Sequence, residues 1–215
     1  MDARTNPATS PLFPVVETVE ALEAIYGVPN AASTEKVAHH ITPAYRTLIE
    51  KAPFAALATI GPEGIDCSPR GDVPGFIRIH DDTTLLIPDR RGNNRIDSLR
   101  NVVRDPRVAL MLLIPGCTNA VRINGRGAIT ADEALRASFC VEGKAPRTVL
   151  VMTVEEIYFQ CGRALIRSGL WDPSKQVDAD SLPTPGEILA SMTDGRVGGE
   201  DYDRAWPERA KASMW

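Results

Sequence analysis

Two short polar loops carry most of the chemistry this sequence offers. One is Ser68-Pro69-Arg70-Gly71-Asp72. The other is Pro88-Asp89-Arg90-Arg91-Gly92-Asn93-Asn94-Arg95, which reads as running straight into a helix. Guanidinium forks and carboxamide N–H groups donate hydrogen bonds, and a helix start adds unpaired backbone N–H groups and the positive end of a dipole. Gly92 lets a ligand approach the backbone closely. Together these parts suit a phosphate dianion. The same residues would also make an ordinary solvated helix start, with Asn93 or Asn94 as its cap, so residue types alone leave both readings open. A third cluster runs from Cys161 to Trp171. Trp171 would wall an aromatic ligand with Arg167 at its polar edge, or else cap the core beside a surface arginine. Arg122, Asn124 and Arg126 alternate along one strand, as a solvent face or as the wall of an anion groove.

Other chemistries find little support. No G-x-G-x-x-G follows a strand, and G-x-x-x-x-G-K-[ST] and G-x-S-x-G are absent, which argues against Rossmann, P-loop and nucleophile-elbow enzymes. His39, His40 and His80 read as solvated. Cys67, Cys117, Cys140 and Cys161 stand singly, without histidines at ligand spacing, so no metal site is expected. The sequence offers no obvious side-chain general base, and the catalytic residues stay unassigned.

The positioning elements follow from periodicity and punctuation. Helical spacing predicts Thr18 to Tyr26 and a shorter helix over Ser33–His40, and Thr42-Pro43 opens a third over Pro43–Lys51. The texture then becomes strand-like: Phe54–Ile60, a Gly61-Pro62-Glu63-Gly64 turn, Ile65–Arg70, Thr84–Pro88, Arg107–Ile114, Ala120–Thr130 and Thr148–Cys161. A helix is predicted over Asn93–Val103, and Asp132 caps another through Phe139. Thr184-Pro185-Gly186-Glu187 is a capping box opening a helix through Met192, and the tail ends with Trp206 and Trp215. Short strands separated by Gly/Pro turns predict a mainly β fold with flanking helices, a small barrel.

The chain has 215 residues, 43% of them hydrophobic, and a net charge of −4. It is long enough for a full core. Its acidic balance lacks the field on which non-specific nucleic-acid binding relies, so no nucleic-acid partner is expected. No stretch approaches the ~18 apolar residues of a membrane span, and residues 1–14 lack a secretory pattern. A cytoplasmic protein with reduced thiols is the expectation, with no membrane partner.

Four ordered blocks, Ser68–Asp72, Leu86–Leu99, Asn124–Arg126 and Cys161–Pro173, resemble the pyridoxamine 5′-phosphate oxidase-like, FMN-binding split-barrel family over roughly residues 35–173. The resemblance implies a six-stranded antiparallel split β-barrel and a homodimer with FMN at each subunit interface. It implies an N-terminal arm and short helix over 1–34, the barrel over 35–173 and a helical extension over 174–215. Carried over, Ser68, Arg70 and Asp72 would lie beside the flavin and its ribityl chain. Pro88 and Asp89 would run along the ring edge, and Asn93, Asn94 and Arg95 would hold the phosphate. Arg167, Ser168 and Trp171 would approach the ring from the partner subunit. Arg163 stands where the family more usually has lysine. The chain end, Glu208 to Trp215, lacks the R-x-H of the authentic oxidases, which argues against vitamin B6 oxidation. The implied activity is an FMN-dependent oxidase or reductase of an unidentified small molecule. A flavin carrier or redox sensor, and a deazaflavin- or haem-handling relative, are the alternatives.

Overall fold

The computed structural model describes residues 13–214 and divides into two units, Met1–Lys36 and Val37–Trp215. The predicted N-terminal arm therefore falls largely outside the described residues, as does Trp215. The first unit holds helices α1 (Val19–Tyr26) and α2 (Ala31–Glu35). Thr18 caps α1 by accepting from the Ala21 N–H, and Gly27 ends it at φ 71°. Val19, Leu22, Ile25 and Tyr26, the predicted apolar stripe, are all exposed.

The second unit contains α3 (Pro43–Lys51) and then strands β1 (Phe54–Gly61), β2 (Gly64–Gly71), β3 (Arg78–Ile79) and β4 (Thr84–Asp89). Helix α4 (Asp97–Arg104) leads to β5 (Arg107–Leu113) and β6 (Ala120–Thr130), and α5 (Glu133–Ser138) to β7 (Thr148–Gln160). Four helices follow: α6 (Arg163–Ser168), α7 (Pro185–Met192), α8 (Glu200–Arg204) and α9 (Trp206–Ser213). All strands join one antiparallel sheet in the order β2-β1-β5-β6-β7-β4-β3. The fold is the expected mainly β split barrel with flanking helices. Among the described residues the sheet has seven strands rather than six, because a two-residue pairing at Arg78–Ile79 adds an edge too short for periodicity to reveal.

Side chains of alternate residues meet inside the curled sheet. Leu57, Leu110, Ile123, Leu85, Ile87, Met152 and Ile157 are essentially inaccessible to solvent, and Ile49 of α3 plugs the same core. A second, smaller cluster of Leu86, Phe139 and Val149 joins α5 to the outside of β4 and β7.

Two predicted helices are shorter than periodicity implied. The one expected over 33–40 stops at Glu35, because Ala38 exchanges two backbone hydrogen bonds with Ile157 and is drawn out straight. The one expected from Asn93 begins at Asp97. Asn94 (φ 63°) and Ile96 (φ 53°) are both left-handed, and the Arg95 N–H donates to Asn93 Oδ1. Left-handed residues cannot continue a right-handed helix, so residues 90–96 form a loop. Neither asparagine is the helix cap; that position falls to Ile96, which makes no side-chain cap bond.

The Asn124-Gly125-Arg126 block has a packing reason. The β6–β7 ladder slips by one residue between Asn124 and Gly125. A Cβ at Gly125 would collide with the Thr153 carbonyl, and one at Gly127 would come within 2.7 Å of Leu150 Cδ1. Gly125→Ala is expected to destabilise the protein by about 1–3 kcal/mol, the usual range for overpacking. Urea unfolding measures it, and a midpoint equal to that of the native chain would contradict this account.

Candidate functional site

The strand order leaves β2 and the β3–β4 end at opposite edges of the sheet. Curling brings these edges face to face without backbone hydrogen bonds between them. Side chains bridge the seam instead. Arg90 donates from Nε to Asp72 Oδ2 at 2.7 Å, and Arg70 Nη2 lies 4.0 Å from Asp89 Oδ1. Beneath these bridges a cavity of about 580 Å³ opens between β2, the end of β4, the loop 90–96 and the start of α4.

Ser68, Arg70, Pro88, Asp89, Asn93, Asn94 and Arg95 all line this cavity. The remaining four expected residues do not. Asp72 sits behind the wall, where it accepts from Arg90 and from the Val73 N–H. Arg167 and Ser168 lie exposed on α6, and Ser168 Oγ donates to the Leu165 carbonyl. Trp171 donates from Nε1 to the Cys117 carbonyl at 2.8 Å. Gly169 closes α6 in the left-handed region, and Asp172 caps the next turn. Within one chain, then, the Arg167–Trp171 block forms a structural corner away from the cavity. Arg122 and Asn124 also lie elsewhere, over Tyr158 and bonded to Glu156 respectively.

Four contributors had no role of their own assigned from the sequence. Arg90 links Asp72 to the Phe139 carbonyl. Asp66 and the buried Ser98 extend the β2 wall, and Arg147 enters from the loop before β7 to donate to Asn94 Oδ1 at 3.0 Å. Arg147 is 53 residues from Asn94 in sequence, so only the fold joins them. The alternation Asp66, Ser68, Arg70 on one face of β2 was the available signal for Asp66.

The polar wall has a fixed direction. Ser98 Oγ donates to Asp66 Oδ2 at 2.6 Å, so it must accept from Ser68 Oγ, also at 2.6 Å. Ser68 in turn accepts from Arg70 Nη1 at 2.9 Å. The only proton of the Ser68 hydroxyl is thereby committed, which removes Ser68 as a donor to a ligand while this row is intact. Arg70 also donates to the Pro69 carbonyl, which pins its guanidinium at the cavity edge.

Asp89 is the perturbed acid of the site. Burial raises its pKa above the ordinary 3.8, against the opposing pull of Arg70 and Arg147. Among the cavity's arginines, Arg90 and Arg95 are paired to Asp72 and Asp97. Arg91 has no hydrogen bond or ion pair among the described residues, and Arg147 bonds only to a neutral amide. The described residues contain no group of three or more His, Cys, Asp or Glu able to hold a metal, and no helix long and apolar enough to cross a membrane.

This architecture matches a known class. Residues 41–161, more than half of the chain, match the family model of pyridoxamine 5′-phosphate oxidase. The chain belongs to that family. Curated protein sequences give no match. Among solved structures, HupZ of Group A Streptococcus is 19% identical with a TM-score of 0.47, covering 56% of this chain and 94% of its own. General stress protein 26 of Bacillus anthracis is 17% identical (TM-score 0.39, 53% and 88% covered). An FMN-binding protein of Syntrophomonas wolfei is 16% identical (TM-score 0.40, 53% and 86% covered).

A raised carboxyl pKa carries a stability consequence. The folded state holds the Asp89 proton to higher pH than the unfolded chain does, so ionising it costs folding stability as pH rises above 3.8. Asp89→Asn cannot ionise. Its stability relative to the native chain is expected to improve as pH rises from acid to neutral and then to level off, as read by denaturant midpoints across pH. A difference independent of pH would contradict the assignment.

Proposed function

We propose that this protein is an FMN-dependent oxidoreductase acting on a small molecule, working as a homodimer with one flavin per seam. One observation carries the reading: seven of the eleven residues that the sequence singled out converge on one cavity of about 580 Å³. That size lies within the range of pockets that enclose small ligands and cofactors, roughly 300–1,000 Å³. The lining suits a flavin. Buried Phe76 and Pro88 offer apolar surface, Arg70 a pinned cation, and the loop 91–95 carboxamides and guanidiniums.

Bound FMN would supply the two-electron chemistry, and the chain would bind and tune it. Arg70 would place positive charge beside the ring edge that becomes negative on reduction. With the Ser68 proton committed to Ser98, hydrogen-bond donation toward the ring falls to backbone groups near Asp89. Asn93, Asn94 and Arg95 would face the phosphate.

The dimer is supported by what one chain leaves undone. Arg167, Ser168 and Trp171 stand apart from their own cavity, where the family resemblance has them approach a flavin from across the interface. The outer sheet face also suits a second copy: Ala56, Met111, Arg122 and Tyr158 align across β1, β5, β6 and β7, with Met111 42% exposed.

Incubation with FMN followed by gel filtration is expected to yield a yellow dimer with one flavin per chain. Anaerobic NADH or NADPH should bleach it and an oxidant restore it. Material that stays colourless and monomeric contradicts the proposal. The double variant Asn93→Ala, Asn94→Ala should bind FMN more weakly by roughly 2–4 kcal/mol, since donors to a charged group are lost. Equilibrium titration of flavin fluorescence reads that loss.

A further inference from the structure

We propose that Asp89 is the catalytic base of the seam cavity, taking the proton of a substrate O–H or N–H as hydride leaves the adjacent carbon for the flavin. This deepens the flavin reading and rests on it. It also names the substrate class: an alcohol or an amine with hydrogen on the carbon that bears the heteroatom.

The argument starts from which carboxylate is uncommitted. Four acids line the cavity or stand behind its wall. Asp66 accepts from Ser98 Oγ at 2.6 Å, Asp72 from Arg90 Nε at 2.7 Å and from the Val73 N–H, and Asp97 from Arg95 Nε at 2.7 Å. The Asp89 carboxyl receives no hydrogen bond among the described residues, and its ion-pair partner, Arg70 Nη2, stands 4.0 Å away. Asp89 lines the cavity with a side chain 24% exposed, so an occupant can reach its oxygens. A proton acceptor needs lone pairs that no other donor holds. The remaining candidates do not meet that need. Ser68 is a neutral hydroxyl that already accepts from Arg70, and His39, His40 and His80 stand outside the cavity lining.

The fold both fixes and tunes this carboxyl. Asp89 is the last residue of β4 and pairs in register with Thr148 of β7, so a strand rather than a free loop holds its backbone. Burial favours the neutral acid, while the charges of Arg70 from β2 and Arg147 from the loop before β7 pull the other way. Burial wins, which leaves a carboxylate more basic than a solvated one. That is the condition for an effective proton acceptor near neutral pH.

In the step, the C–H bond breaks with its electron pair, which passes as hydride to the flavin. The O–H or N–H bond breaks, and its proton forms the carboxylic acid of Asp89. A C=O or C=N bond forms, so the substrate loses two electrons and two protons. Solvent at the cavity mouth then takes the proton from Asp89.

The test mixes FMN-loaded protein anaerobically with benzyl alcohol, benzylamine and a panel of aliphatic alcohols and amines, and times the bleaching of the flavin. At least one of these is expected to bleach the native protein, and with an alcohol the rate should rise with pH as Asp89 ionises. Asp89→Asn should slow bleaching about 100-fold or more, the usual weight of a positioned base, and lose the rising limb while still binding FMN. Asp89→Glu should recover part of the rate. A readout without turnover uses cumylamine, which carries N–H but no hydride to give. It should shift the bound flavin's spectrum and bind the Asp89→Asn variant at least about tenfold more weakly, as expected when a charge-assisted hydrogen bond is lost. Yellow protein that no alcohol or amine bleaches would overturn the base and leave flavin binding intact. So would an Asp89→Asn variant with the native rate, pH profile and cumylamine affinity, or one that fails only because it no longer holds FMN. Native protein that stays colourless overturns both readings.

Discussion

The structure depends on a seam that backbone hydrogen bonds do not close. Seven strands pair in one continuous antiparallel order, and its ends are brought together with only side chains to join them. The Asp72–Arg90 ion pair is the shortest of these bridges, and both side chains are mostly withdrawn from solvent. Arg90 reaches further, to the Phe139 carbonyl, so one guanidinium ties the end of β2 to the segment that follows α5. A pair of this kind costs desolvation that good geometry must offset. Its value here is positional: it holds two edges apart at a set distance and keeps a cavity between them. Family membership and the cavity's polar lining both fit a seam of this construction.

Much of the fold was legible because local chemistry decides it. Thr42-Pro43 starts α3, and the Thr184–Glu187 box starts α7 with both reciprocal bonds formed. Pro62-Glu63 in the tip between Gly61 and Gly64 turns β1 into β2 in exact register. What stayed hidden was decided by distant parts of the chain. Ala38 leaves its helix because Ile157 needs a partner. Residues 93–96 are helical by composition, but Asn94 and Ile96 are left-handed in fact, with an asparagine turn inside the loop and Arg147 fastened to its apex.

The site was legible to the same degree and for the same reason. Loops rich in arginine and carboxamide could be read as ligand-binding types, and seven of their residues do share one cavity. The supporting groups could not be read. Ser98 and Asp66 look like ordinary polar residues until the hydroxyl row places them behind Ser68. Asp72, expected beside the ligand, is paired with Arg90 and does not line the cavity of its own chain. The Arg167–Trp171 block has a structural part to play within one chain. It builds a corner in its own chain, with Trp171 tied to the Cys117 carbonyl and Gly169 left-handed beside Lys175.

The row from Arg70 through Ser68 and Ser98 to Asp66 gives the cavity wall a polarity. Its two hydroxyl hydrogens point toward the carboxylate at one end, as iron filings follow a magnet, because that end can only accept and the guanidinium end can only donate. What Ser68 shows to an occupant is therefore an oxygen lone pair. That spot can accept an N–H or O–H and has no proton left to give. A carboxylate thus fixes, two hydroxyls distant, the hydrogen-bonding sense of the wall at Ser68.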